Sequence, residues 1–286
     1  MSVHVRVVHA CQRAWRGGSP TAVVDETPLS DAERCAIPVA AGTSHVVFIS
    51  TEDHGSGRPA VSLRYFTAAG ELPACGHGTV AALAVLAQRA RTSAYEAVLR
   101  SGGRTFLGQA TGGGDRYEAV FDAGPVELRA PAAAECEPVL ASLGIDAAEA
   151  SVRCRIASVG RPRILVPVAD RQVLAGLAPD MTRLQEACDR LGLLGCYVYS
   201  TPSADGRAAA RMFAPSIGVP EDIANANSTA CLAAHLADHG FSALDVDMGD
   251  SLGEPATIAA TTRPGPGGPL VRVGGTATIT TGISLI

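Results

Sequence analysis

An internal repeat constrains this chain more than any other feature of its sequence. Shifted by 150 positions, residues 75–87 (CGHGTVAALAVLA) align without a gap on residues 225–237 (NANSTACLAAHLA). A second pair of segments, 18–24 and 160–166, aligns in the same order. One alanine-rich helix can match another by chance, but two matches in the same order predict two copies of one folding unit.

The centre of each copy is a turn that enters a buried helix. Residues 61–67 alternate in hydrophobicity as a strand does, and a small, aliphatic run follows Cys75 and His77. The first amides of a helix have no internal partner and lie at the positive end of its dipole. Such a turn can hold a carboxylate and lower the pKa of a thiol. We therefore expect half of an active site here, facing a second half at Asn225 across a cleft.

Composition narrows the class of protein and its partners. The 286 residues are enough for two domains, and the net charge of −5 comes without any basic run. Nucleic acid and anionic membranes are therefore not expected as partners. The N-terminus lacks the apolar block of a signal peptide, and no apolar run approaches the roughly 20 residues of a membrane span. These features predict a cytoplasmic protein.

The sequence contains no lysine, so all 23 basic residues are arginine. This excludes a Schiff-base lysine, and with it the usual anchor of pyridoxal phosphate, as well as a Walker A loop. No G-x-G-x-x-G follows a predicted strand, and the eight cysteines are scattered without zinc spacing. We expect neither a cofactor nor a metal ion.

Many short strands and two buried helices indicate an α+β architecture. Residues 29–40 predict a helix capped by Ser30, Asp31 or both. Residues 96–109 and 116–121 predict a hairpin. The alanine- and proline-rich residues 130–138 are the best candidate for a linker.

Several motifs together resemble a known family. They are Phe66-Thr67, Glu71-Leu72-Pro73, Cys75-Gly76-His77-Gly78-Thr79, Phe213-Ala214-Pro215 and Gly218-Val219-Pro220-Glu221-Asp222. They resemble the PhzF-like phenazine-biosynthesis isomerases, which belong to the diaminopimelate epimerase and proline racemase superfamily. The resemblance runs from end to end of the chain. It implies a homodimer without a cofactor that acts in secondary metabolism, for example antibiotic biosynthesis.

The resemblance also implies a diaminopimelate epimerase-like fold. In that fold two pseudo-symmetric domains each curl a mostly antiparallel sheet around a central helix, and the active site lies between them. We expect the first domain at residues 1–128, joined by the C-terminal strand 279–286, and the second at residues 129–278.

The family's site residues carry over only in part. His77 matches the active-site histidine, Asp222 matches the acid of the second central motif, and Cys75 stands where the racemases have their first catalytic cysteine. Ser44 is placed at the position of the family's main acid/base glutamate, and Ser19 replaces an asparagine. The triplet T-G-S is replaced by Asn225-Ala226-Asn227.

The general base must then come from Cys75, His45, His77 or Asp222. Imidazole is the commonest general base near neutral pH, but strand alternation leaves open whether His45 faces the site. We expect Asp222 and His77 to be the working pair. The residues expected to contact substrate are Ser19, Ser44, Gly76, Gly78, Thr79, Asn225, Ala226 and Asn227.

The resemblance, together with these residues, implies an isomerase that moves a proton or a double bond on a small carboxylate-bearing biosynthetic intermediate. Because Asn225 cannot accept a proton, a racemase with two opposed bases is disfavoured. An epimerase or a cyclase of the same fold remains an alternative. So does a binding protein that lost catalysis with the glutamate.

Overall fold

Two βαβ crossovers form the frame of the first unit. In each crossover a helix joins two strands that run parallel to one another. The elements are β2 (Ser19–Asp25), α1 (Asp31–Ala41), β3 (His45–Glu52), β4 (Ala60–Thr67), α2 (Gly76–Ala90) and β6 (Ala94–Ser101). The other strands pair antiparallel and are β1 (Val3–Gln12), β5 (Gly70–Leu72), β7 (Arg104–Gly113), β8 (Arg116–Gly124) and β18 (Ile283–Leu285).

The second unit repeats both crossovers. β11 (Arg161–Val168) runs parallel to β12 (Cys196–Ser200), and β13 (Arg207–Ala214) runs parallel to β15 (Ala243–Met248). The connecting helices are α4 (Arg171–Ala175) and α5 (Met181–Leu191) in the first crossover and α6 (Ala226–Ala237) in the second. The remaining elements of this unit are β9 (Glu127–Arg129), α3 (Ala133–Leu143), β10 (Arg155–Val159), β14 (Val219–Asp222) and most of β16 (Ala256–Arg263). Most of β17 (Leu270–Ile279) belongs to the first unit, where it pairs antiparallel with β1.

This computed structural model describes residues 2–52, 58–146, 153–280 and 282–285. The first unit comprises residues 1–122, 254–257 and 272–286, and the second comprises residues 123–253 and 258–271. Parts of the predicted C-terminal strand, residues 281 and 286, lie outside the described residues. The α+β fold class is confirmed, with a mostly antiparallel sheet and one central helix in each unit. Among the described helices, none has the length and apolar character needed to span a membrane.

The structure confirms the internal repeat at the level of single hydrogen bonds. The side chain of Thr79 donates to the carbonyl of Cys75 at 2.8 Å, and that of Thr229 donates to the carbonyl of Asn225 at 3.1 Å. Each threonine oxygen also contacts a buried tyrosine hydroxyl, that of Tyr65 at 2.7 Å and that of Tyr197 at 2.8 Å. Since the Thr79 proton is directed to a carbonyl, the Tyr65 hydroxyl donates to Thr79. The Tyr197 hydroxyl also lies 3.5 Å from the Met248 sulfur, which offers it a second acceptor beside Thr229.

The two tyrosines reach equivalent threonines from different strands. Tyr65 lies on β4, opposite Val47 of β3. In the second unit the tyrosine has moved to the neighbouring strand, since Tyr197 lies on β12 opposite Met212. The hydrogen bond is thus maintained although the residue that makes it has changed strand.

The predicted linker at residues 130–138 is wrong, because most of it belongs to α3. The Glu135 carboxylate accepts the backbone N–H of Ala132 at 2.8 Å and pairs with Arg129 at 2.7 Å, which satisfies the start of the helix. Val139 and Leu140 are fully buried in the core of the second unit. Burial of this apolar face outweighs the local preference of alanine, proline and glutamate for a linker.

Two other boundaries depend on turn and cap residues. The predicted hairpin is formed by β7 and β8, which pair antiparallel. Its first arm does not reach back to residue 96, because Gly102 and Gly103 adopt positive φ angles of 55° and 75° and turn β6 directly into β7. Ser30 does cap α1 as expected. Its backbone N–H donates to the Glu33 carboxylate at 2.7 Å, and its hydroxyl accepts from the Glu33 amide at 3.3 Å.

We predict that Tyr65→Phe and Tyr197→Phe each lower the free energy of unfolding by about 1 kcal/mol, because each removes the buried hydrogen bond to the threonine and leaves the threonine hydrogen-bonded to its carbonyl. Urea unfolding of the single variants measures the effect. Tyr95→Phe is the control, because the half-buried Tyr95 makes no described side-chain hydrogen bond, and its change should stay within about 0.5 kcal/mol. Losses in the two test variants no larger than that of the control would contradict the prediction.

Candidate active site

Three buried side chains of the first unit meet at the start of α2. The exposed fractions of His45, Cys75 and His77 are 4%, 6% and 3%. The Cys75 Sγ lies 3.3 Å from Nε2 of His77. The rings of His45 and His77 meet edge to face, with centroids 4.4 Å apart. A thiol and two imidazoles therefore form one cluster inside the first unit.

The local sequence explains how α2 presents two members of this cluster. Cys75 is the N-cap residue with extended backbone (φ −147°), and its side chain makes no capping hydrogen bond. His77 is the second helical residue, so both side chains lie beside the uncapped amides of the first turn. A Cβ atom at Gly78 would lie 3.1 Å from the Cys75 Sγ and 3.0 Å from the Tyr65 ring. Glycine at this position lets the strand and the thiol approach the helix closely.

His45 is placed by the pairing of β2 and β3. It is the first residue of β3, in parallel register with Thr21, and its side chain lies on the face that α2 covers. The hydroxyl of the preceding residue, Ser44, contacts the His45 Nδ1 at 2.8 Å. Ser44 itself is exposed, so the imidazole beside it, rather than the serine, reaches the cluster.

The cluster favours neutral histidine. Burial lowers the pKa of His45 well below its ordinary value of 6.5, because the imidazolium loses its hydration, and the neighbouring His77 lowers it further. His45 is therefore uncharged at neutral pH and carries a lone pair that can accept a proton. By contrast, burial raises the pKa of Tyr65, which stays protonated and serves as a hydrogen-bond donor.

The three side chains could also bind a metal ion. Each offers one ligand atom, and these atoms lie within 4.8 Å of one another. One thiolate and two imidazoles form a donor set that zinc accepts. Local sequence spacing does not reveal this donor set, because His45 comes from a strand distant in sequence from Cys75 and His77. The same geometry suits a hydrogen-bonded thiol–imidazole pair, so the absence of a metal requirement stays a prediction.

Ser19 belongs to the same face of the sheet as His45. It lies two residues before Thr21 on β2, so both side chains point to one side of the strand. Its hydroxyl is fully buried and has no hydrogen-bond partner among the described residues. Of the other predicted contact residues in this unit, Gly76 and Thr79 are buried in the first turn of α2, and Thr79 is occupied by the tyrosine bond.

The second unit brings Asp222 and Asn225 together at the start of α6. The Asn225 side chain caps the helix by accepting the Ser228 amide at 2.9 Å, and its own amide donates to the Asp222 carboxylate at 2.9 Å. Asp222 thus orients the cap through one carboxylate oxygen. Ala226 is buried in the first turn, and Asn227, in the position equivalent to His77, is half-buried.

Arg163 is a candidate functional residue that was not predicted from the sequence. This arginine of β11 is fully buried, with an exposed fraction of 1%, and its Nη1 lies 3.3 Å from the hydroxyl of Ser228 in the first turn of α6. The signal was present in the sequence, because Arg163 is a charged residue inside the otherwise apolar run 162–168 and aligns with Thr21 in the repeat.

Comparison with known proteins agrees with this fold. The sequence profile of the phenazine biosynthesis-like proteins matches residues 11–282. The chain belongs to this family. A relative from Deinococcus radiodurans, described as an uncharacterized isomerase, is 29% identical over 254 residues, which are 85% of this chain and 81% of the relative.

Solved structures share the fold. A protein from Pseudomonas aeruginosa described as a predicted epimerase superposes with a TM-score of 0.81 at 25% identity, covering 100% of this chain and 99% of that one. A phenazine biosynthesis protein of the PhzF family from Bacillus anthracis superposes with a TM-score of 0.82 at 17% identity, with the same coverage. The fold similarity therefore extends over the whole chain, and the family match covers residues 11–282.

We predict that the folded protein loses stability as the pH falls below about 6.5, in part through His45. The unfolded chain binds a proton at this position where the folded chain, with its lowered pKa, does not, so acid favours unfolding. Urea unfolding from about pH 7 to about pH 5 should show a shallower decline for His45→Gln than for wild type.

Part of the decline will remain in His45→Gln, because burial also lowers the pKa of His235 in the second unit, to about 4. The double variant His45→Gln, His235→Gln should show a still shallower decline of stability with falling pH. Identical slopes in wild type and His45→Gln would show that His45 titrates alike in the folded and unfolded chain.

Proposed function

We propose that this protein is a cofactor-independent isomerase that moves a proton on a small carboxylate-bearing biosynthetic intermediate. The observation that carries the proposal is the buried cluster of His45, Cys75 and His77 at the start of α2. The family and its relatives described as isomerases support the reaction class. The substrate and the mechanism are our proposal.

In this mechanism His45 is the general base. Its Nδ1 is held by the Ser44 hydroxyl at 2.8 Å, which leaves Nε2 to accept a proton from the substrate carbon. Burial keeps the imidazole neutral and therefore ready to accept that proton. His77, hydrogen-bonded to Cys75, returns a proton at another position of the substrate. The proton taken by His45 then passes to the neighbouring His77 ring, which restores both imidazoles. The net change is one proton removed and one added, with no oxidation.

The first-turn amides of α2, which the Cys75 side chain does not cap, stabilise the charge that develops when the proton leaves. They are backbone donors at the positive end of a helix, fixed before the reaction begins. A preorganised donor of this kind contributes about 3–4 kcal/mol to transition-state stabilisation. This assigns proton transfer to side chains and charge stabilisation to the backbone.

The contacts of Asn225 favour a proton shift over racemisation by two bases. Both ends of its side-chain amide are occupied, by Ser228 and by Asp222, and an amide does not accept protons. The pairing of Asp222 with His77 as acid and base stays a prediction. Asp222→Asn would keep the cap in place through a neutral amide, and a large loss of turnover in that variant would support the pairing.

We predict that solvent deuterium enters the product in a reaction that depends on the cluster. The assay incubates the enzyme in heavy water with a panel of small unsaturated or α-substituted carboxylic acids and follows exchange by NMR and mass spectrometry. His45→Gln and His77→Gln should each lower the exchange rate by about 10²–10⁴. Cys75→Ala should lower it less, because the thiol contacts His77 without being the base.

His235→Gln is the matched control. His235 is a buried histidine of α6 that also meets a second imidazole edge to face, that of His239, with centroids 5.2 Å apart. Its loss perturbs a similar environment outside the cluster and should leave the exchange rate near that of wild type. Turnover without deuterium incorporation, unchanged in the His45 and His77 variants, would exclude proton transfer and favour a cyclase. Binding without turnover would favour a binding protein.

We further predict that exchange requires no metal ion, although the cluster has suitable donor atoms. Dialysis against a chelator should leave the exchange rate unchanged, since a neutral imidazole and backbone amides already provide the base and the charge stabilisation. Metal analysis of the dialysed protein is the control. Loss of activity that zinc restores would contradict the prediction and make the three side chains metal ligands.

A further inference from the structure

The second unit buries a positive charge beside a helix N-terminus. Arg163 has the largest of the fully buried side chains, with an exposed fraction of 1%. An arginine guanidinium stays protonated in proteins, so the charge cannot be removed by a shift in pKa. Burial of an uncompensated charge is strongly unfavourable, and such a group normally has an anionic partner.

Protein acceptors satisfy only some of the hydrogen-bond donors of this guanidinium. Nη2 donates to the carbonyl of Arg161 at 2.6 Å and Nη1 to the hydroxyl of Ser228 at 3.3 Å, both uncharged acceptors. Nε is buried and has no hydrogen-bond partner. In the part of the chain that the structure describes, no carboxylate forms an ion pair with Arg163.

The start of α6 offers further unused donors close to this charge. The Asn225 cap accepts the Ser228 amide, which leaves the amides of the first two helical residues, Ala226 and Asn227, without an intrahelical acceptor. Because Ser228 lies one residue further along the same turn and contacts Arg163, these amides and the guanidinium lie around the same helix end. Asn227 is half-buried, so solvent reaches this end of the helix.

We propose that Arg163 and the N-terminus of α6 form a binding site for one carboxylate group. A guanidinium with an unpaired Nε–H matches the two oxygens of a carboxylate, and the helix amides favour negative charge. One buried cation neutralises a monoanionic carboxylate, whereas phosphate would leave an excess of negative charge. The equivalent residue of the first unit is Thr21, whose neutral side chain donates a hydrogen bond to the Ser19 carbonyl. At this position of the repeat, therefore, only the second unit has a cation.

This site goes beyond the proposed function, because it lies wholly within the second unit and is stated for a carboxylate group whatever molecule carries it. The proton-transferring cluster and the carboxylate site use different residues. Equilibrium binding therefore tests the site without turnover, and the deuterium assay tests proton transfer separately. Either result can fail while the other holds.

The test uses propanoate as the probe, with propanamide as its neutral isostere and inorganic phosphate as the competing anion, in the intact protein at constant ionic strength. Titration is followed by isothermal calorimetry and by the ¹⁵N NMR signal of the Arg163 Nε–H, assigned through its absence in Arg163→Lys. Propanoate should bind and shift this signal, and propanamide should do neither. Arg163→Met should weaken propanoate binding about 10- to 100-fold, because the variant cannot form the charge-assisted hydrogen bond to the carboxylate.

Ser228→Ala is the matched control. It removes the contact that joins the guanidinium to the helix but retains the charge and the amides, so propanoate should still bind within a few-fold of wild type. The proposal is overturned if wild type binds propanoate no better than propanamide. It is equally overturned if phosphate binds more tightly than propanoate, or if the Nε–H signal does not move on saturation. The last readout uses wild-type protein, so the test holds even if Arg163→Met does not fold.

Discussion

The buried hydrogen bond between a tyrosine and a threonine fixes the first turn of each central helix. In both units the threonine side chain donates to the N-cap carbonyl and is hydrogen-bonded to a tyrosine whose pKa is raised by burial. A buried hydroxyl without a hydrogen-bond partner is costly, so the linked hydrogen bonds of the tyrosine, the threonine and the N-cap carbonyl hold the helix start against the sheet. Every candidate functional group of either unit lies within a few residues of that turn or on the strands that face it.

On this common frame the two copies have diverged in the kind of charge that they hold. The first unit places titratable groups, two imidazoles and a thiol, at the start of α2. The second unit places groups whose charge does not change near neutral pH, Arg163 and the amide of Asn225, at the start of α6. Proton transfer needs groups that change charge, whereas anchoring a carboxylate needs a charge that stays constant. The first unit is thus suited to proton transfer and the second to holding a carboxylate.

Burial acts differently on the groups of these two sites. It lowers the pKa of His45 and keeps that residue neutral, which suits a base. It raises the pKa of Cys231 on α6, which keeps that thiol protonated and leaves Arg163 without a thiolate partner. A guanidinium cannot respond in this way, since its pKa lies far above neutral pH. The same apolar surroundings therefore produce a neutral base in one unit and a permanent cation in the other.

The sequence by itself determined the repeat, the two central helices with Cys75 and Asn225 at their starts, and the family, because each depends on local pattern and spacing. It also brought His77 and Cys75 together, since they are two residues apart on one helix turn. Only the tertiary structure decided that His45 rather than Ser44 meets them, because strand register sets which of two adjacent side chains faces the helix. It likewise decided that residues 133–143 form a helix, through burial against the core of the second unit, and that Arg163 lies beside Ser228. Those contacts join residues far apart in sequence, and no local pattern specifies which of them will meet.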